Sequence, residues 1–236
     1  MIIKRMGIIL SLAIAALIAA FLLYSSDYYH ADAAVQTALV SDGTVCVSRT
    51  SYGWFFDGPS IEDALIFYPG AKIEETAYAP LLRRLAAEGM DVCLVSMPFR
   101  LAFFGTNKAE SVMGLYDYDH WYVGGHSLGG AMAAEYAAHH GDRLTGLILL
   151  AAYPTSPLDD ALLMISIYGS EDDVLNHAKV EAGKAYVHGG FREYVVTGGN
   201  HAQFGNYGEQ RGDGTAGVSR EEQQRLTVSY IIRNKR

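Results

Sequence analysis

The sequence predicts an α/β fold, a mostly parallel eight-stranded sheet with helices on both faces, preceded by one amino-terminal transmembrane helix. Three observations predict it. Short β-rich apolar runs alternate with segments of helical spacing, the pattern of parallel strands buried on both faces by crossover helices. One such run ends in a glycine-flanked serine that leads into an alanine-rich helix. An uncharged apolar stretch, Met6 to Tyr24, has about the length needed to cross a hydrocarbon core as helix.

Lys4 and Arg5 precede that stretch, and no Lys or Arg follows it until Arg49. The positive-inside rule therefore puts the amino terminus in the cytoplasm and the remainder outside, a single-pass protein of the cell membrane. Tyr24, Tyr28 and Tyr29 fall where amphipathic rings favour the membrane–water interface, which suits a retained anchor. The competing reading is a cleaved signal, because Ala31-Asp32-Ala33 is an A-x-A-like site; the apolar run exceeds the usual signal core, and both readings export the domain. The division is residues 1–34 as anchor and juxtamembrane segment and 35–236 as one globular domain.

Thr44–Thr50 and Tyr52–Asp57 read as an opening pair of strands. Six more follow at Ala64–Tyr68, Asp91–Ser96, Trp121–Gly124, Leu144–Ala151, Leu162–Tyr168 and Phe191–Val196. Between them Tyr78, Leu81, Leu82 and Leu85 recur at helical spacing, with Gly89 placed to end that helix. The last helix opens on Ser219-Arg220-Glu221-Glu222, a capping box in which serine oxygen and glutamate each satisfy a backbone N–H, and runs toward Ile232.

With 236 residues, half of them apolar, the chain is large enough for one well-packed domain. A formal charge of −8 with scattered basic residues excludes an electrostatic nucleic-acid binder. Cys46 and Cys93 are the only cysteines and form no CxxC pair, so no zinc site and no metal is expected. Both lie in strand-like runs and read as buried free thiols; a single bridge is the alternative outside the cytoplasm.

The chemistry is carried by Gly125-His126-Ser127-Leu128-Gly129-Gly130 after the strand-like WYVG. A serine on a sharp strand-to-helix turn is lifted clear of the sheet, and its neighbours must be glycine because a β-carbon would strike the adjacent strand or helix. Leu128, first in the helix, has an N–H without an intrahelical partner that can hold an oxyanion. A serine hydroxyl needs a base, and the order expected here is serine, acid, histidine. Glu171, Asp172 and Asp173 follow the strand LLMISIY, and any of them can orient a histidine; their alternative roles are a solvated loop or a cap for a helix beginning near Val174. His201 follows the last strand on a flexible glycine-rich loop. His139, His140 and His177 read as helix-surface residues, and the His126 ring as packing beside the serine. The second oxyanion donor is expected from the loop Tyr68-Pro69-Gly70-Ala71-Lys72, with Ala71 preferred and Lys72 as the alternative.

The stretches ALIFYPGAKIEETAYAPLLRRLA, DVCLVSMPF, WYVGGHSLGGAMAA, ISIYGSEDDVL and GGNHAQFGNYG together resemble the α/β-hydrolase superfamily, and more narrowly its compact bacterial fold-5 group. The resemblance covers nearly everything after residue 60. It implies a mostly parallel eight-stranded sheet, no cofactor, and an acid in the pattern glycine, two residues, aspartate, which falls on Asp172. Only Tyr153 to Asp160 stands where many members insert a lid, so little or no lid is expected. An open site walled by Ala71, Phe99, Leu101, Phe103 and Phe104 with the loop around Phe204 is the corresponding expectation, with Phe99, Phe104 and Phe204 as substrate-binding residues; plain core packing is the alternative for these rings. The function so implied is hydrolysis of a carboxylic ester or related acyl bond of a small-molecule substrate through an acyl-enzyme on Ser127, with His201 as base and Asp172 orienting it. Two other functions stay open: a catalytically silent fold serving as a binding or scaffold protein at the cell envelope, and an acyltransferase using the same residues. The lipid bilayer is the one further partner expected.

Overall fold

The computed structural model describes residues 2–59 and 61–235. A long helix, α1 (Ile2–Ser26), precedes the strands β1 (Cys46–Arg49), β2 (Gly53–Asp57) and β3 (Asp63–Tyr68). Helix α2 (Ala79–Ala87), β4 (Asp91–Val95), α3 (Lys108–Met113), β5 (His120–His126), α4 (Leu128–His140) and β6 (Gly146–Leu150) come next. The chain closes with β7 (Leu163–Gly169), α5 (His177–Gly183), β8 (Phe191–Val196) and α6 (Arg220–Asn234). All eight expected strands form, and they join one sheet in the order β1-β2-β4-β3-β5-β6-β7-β8. β1 and β2 pair antiparallel, as do β2 and β4, and every other neighbour is parallel.

The central strands are buried along their whole length because alternate residues feed two cores. On β3, Leu65 and Phe67 face α2 and α6 together with Val92, Leu94, Ile148 and Ile165. Ala64, Ile66 and Tyr68 face α3 and α4 with Cys93, Val95, Val123 and Leu147. Helix α2 docks through Leu81, Leu82 and Leu85, each about 1 % exposed, and burying a leucine side chain contributes roughly 1.5–3 kcal/mol. It stops where expected, at Gly89, whose φ of +92° suits a residue without a β-carbon.

Two local expectations are modified. Ser219 Oγ accepts the Glu222 N–H at 3.2 Å, but the Glu222 carboxylate turns outward to take two bonds from Arg225 at 2.6 and 2.8 Å. Only the serine half of the capping box is made, since an arginine one turn on offers a forked donor. Of the two cysteines, both free, Cys93 is buried and Cys46 is exposed; Cys46 starts β1, the edge strand of the sheet, which is exposed along most of its length.

Helix α1 carries a segment, Arg5–Ser26, long and apolar enough to cross a membrane, whose most apolar 18 residues include none that is buried. The residues after it are stitched onto the domain. Tyr29 makes a parallel bridge with Ile73, its N–H donating to the Lys72 carbonyl at 2.8 Å and its own carbonyl accepting from Glu74 N at 2.9 Å. Asp32 N–H donates to the Asn206 carbonyl, and its carboxylate pairs with Arg220 at 2.9 Å.

Candidate active site

Ser127 sits between β5 and α4 with φ 54° and ψ −125°, a conformation costing a non-glycine residue on the order of 1–3 kcal/mol. The packing around it holds that strain. Its N–H is tied to the Leu150 carbonyl at 2.9 Å, and a β-carbon on Gly125 or Gly129 would lie 2.4 or 2.2 Å from the Tyr68 carbonyl oxygen. The strand–turn–helix therefore closes only with glycine on both sides of the serine, as its spacing in the sequence requires. β5 runs two residues beyond its expected end because β6 pairs it as far as His126 opposite Leu150.

Asp172 and His201 meet at the same end of the sheet. Asp172 is 1 % exposed and His201 likewise. The His201 Nδ1–H donates to Asp172 Oδ2 at 2.9 Å, with Oδ1 at 3.1 Å. Oδ1 also accepts the N–H groups of Val174 at 3.1 Å and Leu175 at 2.8 Å. Of the neighbouring carboxylates, Glu171 and Asp173 are exposed, and Glu171 accepts from Ser170 Oγ. The expected helix cap near Val174 falls instead to Asn176, whose side chain accepts from Lys179 N.

The loop bearing His201 is tied down by side chains that follow it in the chain. Asp213 accepts the N–H groups of His201 at 3.1 Å and Ala202 at 2.8 Å. Gln223 accepts from Asn200 N and donates to Asn200 O, at 3.0 and 2.8 Å. Gly169 lies so close to this loop that a β-carbon there would meet the Gly199 oxygen at 2.1 Å, and Glu171 N–H donates to that same oxygen at 2.8 Å. Backbone contact between the loops after β7 and β8 thus sets the spacing of Asp172 and His201.

His126 is fully buried. Tyr78 Oη accepts the Gly70 N–H at 3.1 Å and so gives its one proton to His126 Nδ1 at 2.8 Å. The His126 ring packs on that of His201, centroids 4.4 Å apart. Burial, and secondarily the neighbouring His201, hold its pKa well below 6.5, so it stays neutral. Burial also pushes the Tyr78 hydroxyl far above its ordinary value.

Ser127 and His201 share a cleft of about 260 Å³ with Leu128, Tyr153, Val174 and Leu175. Among the described residues His201 Nε2 has no hydrogen-bond partner. Ala71 lies in the turn after β3; Lys72, with φ 55°, gives its N–H to the Arg100 carbonyl at 2.9 Å. The expected aromatic wall is placed elsewhere. Phe204 is fully buried against His126, and Phe99 and Phe104 pack edge-on against Phe21 of α1, at 5.1 and 5.8 Å. None of the three lines the cleft. Tyr153, Val174 and Leu175 do, from just beyond β6 and β7; the rule that strand carboxyl ends gather the site points to them. Among the described residues no three His, Cys, Asp or Glu side chains are grouped to hold a metal ion.

A family model described as the alpha/beta hydrolase family matches residues 64–225. No curated protein matches the chain. Similar solved structures include a predicted CIB-like hydrolase from Thermoplasma acidophilum, 14% identical with a TM-score of 0.59 over 80% of this chain and 99% of that one. Another is TT1662 from Thermus thermophilus, 14% identical with a TM-score of 0.54 over 79% and 96%. A third, from Klebsiella pneumoniae subsp. pneumoniae and taken to be a dienelactone hydrolase, is 14% identical with a TM-score of 0.59 over 81% and 98%. At these identities the likeness is one of fold.

Proposed function

The chain belongs to the alpha/beta hydrolase family, and from that premise we propose that it is a serine hydrolase cleaving a carboxylic ester or related acyl bond. The observation that carries this reading is the buried Asp172–His201 pair, whose outer nitrogen is unpartnered in the cleft that also holds Ser127 on its strained turn. Because Nδ1–H is committed to Asp172, Nε2 holds the lone pair and is the base.

His201 takes the proton as Ser127 Oγ bonds to the substrate carbonyl carbon. The resulting oxyanion is held by the N–H groups of Leu128 and Ala71. Lys72 is unsuited to that task, since its N–H already serves Arg100. Collapse of the intermediate breaks the ester C–O bond, and the imidazolium returns the proton to the departing alcohol. Water, deprotonated by His201, then releases the acid from Ser127. Asp172 keeps the ring in the productive tautomer and stabilises its charged form.

In the same reading α1 anchors the chain in the cell membrane, amino terminus in the cytoplasm and the catalytic domain, residues 35–236, outside. The stitching of Tyr29 and Asp32 onto the domain supports a retained anchor, because cleavage near Ala33 would discard those contacts. A fluorophosphonate probe is expected to label Ser127, and Ser127→Ala to lose labelling and about 10⁴-fold or more in turnover of p-nitrophenyl acetate. A folded protein that neither reacts with the probe nor turns over esters refutes the proposal and leaves a binding or scaffold role.

A further inference from the structure

Three phenylalanines after β4 stand out on the domain surface: Phe99, Phe103 and Phe104 are 46, 50 and 48 % exposed. They do not line the cleft at Ser127, and their rings touch one another, Phe99 edge-on to Phe104 at 5.6 Å and Phe103 tilted against Phe104 at 4.3 Å. Two of these rings, Phe99 and Phe104, also meet Phe21 of α1. Phe21 lies inside the membrane-crossing segment Arg5–Ser26, five residues from its end and so about 7.5 Å below it at 1.5 Å per residue. The Phe99 and Phe104 rings, centred 5.1 and 5.8 Å from Phe21, are within reach of the roughly 5–10 Å to which interfacial side chains are buried at the headgroup boundary.

The charges nearby are arranged as such a boundary requires. Lys72 Nζ lies 4.2 Å from the Tyr24 ring and 3.2 Å from Asp27, and the Arg100 guanidinium lies 3.4 Å from the Tyr28 ring. These are cations and amphipathic rings at the end of the apolar span and just beyond it. The same loop leads directly to the chemistry. Lys72 follows Ala71, the oxyanion donor; Gly70 binds Tyr78, which binds His126, the residue before Ser127. No lid intervenes, because residues 151–162 between β6 and β7 form no helix. The cleft, about 260 Å³, is also smaller than the roughly 300–1,000 Å³ that encloses a whole small ligand.

We propose that the catalytic domain rests in the bilayer surface through Phe99, Phe103 and Phe104, and that its substrate is the acyl ester of a lipid in that leaflet. The cleft takes the carbonyl end while the acyl chain stays in the membrane. Hydrolysis adds water across the ester and yields a fatty acid and a lysolipid. This rests on the serine-hydrolase reading and on α1 as a retained anchor, and it names the substrate class.

The test uses the full chain reconstituted in dioleoylphosphatidylcholine vesicles, repeated with phosphatidylglycerol or diacylglycerol added. Release of oleate from the vesicles is followed beside hydrolysis of soluble p-nitrophenyl acetate. Both activities are expected. The double variant Phe103→Asp, Phe104→Asp should lower the ratio of lipid to soluble-ester turnover at least about tenfold, because charged side chains resist burial at the boundary. In Phe103→Trp, brominated phosphatidylcholine should quench fluorescence beyond what it quenches in the wild type. Hydrolysis of p-nitrophenyl acetate without oleate release, an unchanged ratio in the double variant, or no added quenching overturns this inference and leaves the hydrolase intact. Absence of both activities, with no fluorophosphonate labelling, overturns the hydrolase reading instead.

Discussion

Asp172→Asn separates the carboxylate's role as proton acceptor from its role in folding, because the structure dictates how the amide must sit. Oδ1 of Asp172 accepts two backbone N–H groups, from Val174 and Leu175, while Oδ2 is the closer atom to His201 Nδ1. An asparagine keeps both backbone bonds only with its oxygen at the Oδ1 position, which places its NH₂ 2.9 Å from His201 Nδ1. Turning the amide over strands the buried Leu175 N–H at about 1–3 kcal/mol, so the flipped form is a minority, roughly 1 in 5 to 1 in 30, and it lacks the carboxylate charge that stabilises the imidazolium. A donor facing Nδ1 drives the histidine's proton to Nε2, and the base that Ser127 needs is gone. The expected loss in kcat is about 10⁴-fold, or about 5.4 kcal/mol of transition-state stabilisation. Thermal stability should change little, since both loop-closing bonds survive. Asp172→Ala, which removes them, should lose activity and also about 1–3 kcal/mol of stability or more. The assay is p-nitrophenyl acetate turnover beside a thermal melt by circular dichroism. A folded Asp172→Asn enzyme retaining kcat within tenfold of wild type would refute the reasoning.

Two further outcomes follow from the same loops and rings. Gly169→Ala puts a β-carbon 2.1 Å from the Gly199 oxygen, forcing the acid and base loops apart; about 100-fold in kcat is expected for a shift near 1 Å, with about 1–3 kcal/mol of stability, and wild-type turnover would show that this contact does not position the pair. Since His126 is held neutral in the fold with its pKa well below 6.5, the unfolded state binds the extra proton. Its contribution to stability is therefore complete above about pH 6.5 and is lost as pH falls toward the depressed folded value, at up to about 1.4 kcal/mol per pH unit. Melts between pH 7 and 5 should show a smaller fall in Tm for His126→Gln than for the wild type, and parallel falls would assign the pH dependence to other groups.

Features written in local spacing were legible without coordinates. The central strands were found because a strand buried on two faces reads as a continuous apolar run, and the turn at Ser127 was found because its glycines answer a steric demand within six consecutive residues. Helix α2 and its stop at Gly89 follow from a 3.6-residue period and one permissive residue. What local spacing left open depended on packing between distant segments. The glycine-rich loop around His201 is bound by the side chains of Asp213 and Gln223, 12 and 22 residues further on, which accept hydrogen bonds from its backbone. Phe99, Phe104 and Phe204 had the composition of a substrate wall, but aromatic side chains serve a core, a membrane contact or a pocket equally well, and only position distinguishes them.

By itself the sequence determined the strands, the strand–turn–helix at Ser127 and the apolar amino-terminal helix, because each is expressed over a few residues by periodicity or sterics. The tertiary structure decided which carboxylate meets His201, which side chains line the cleft and where α1 lies against the domain. Those are matters of distance between segments far apart in the chain: Asp172 is distinguished from Glu171 and Asp173 by its burial against His201, and Phe99 and Phe104 acquire a role only through Phe21, more than seventy residues away, as their numbering shows.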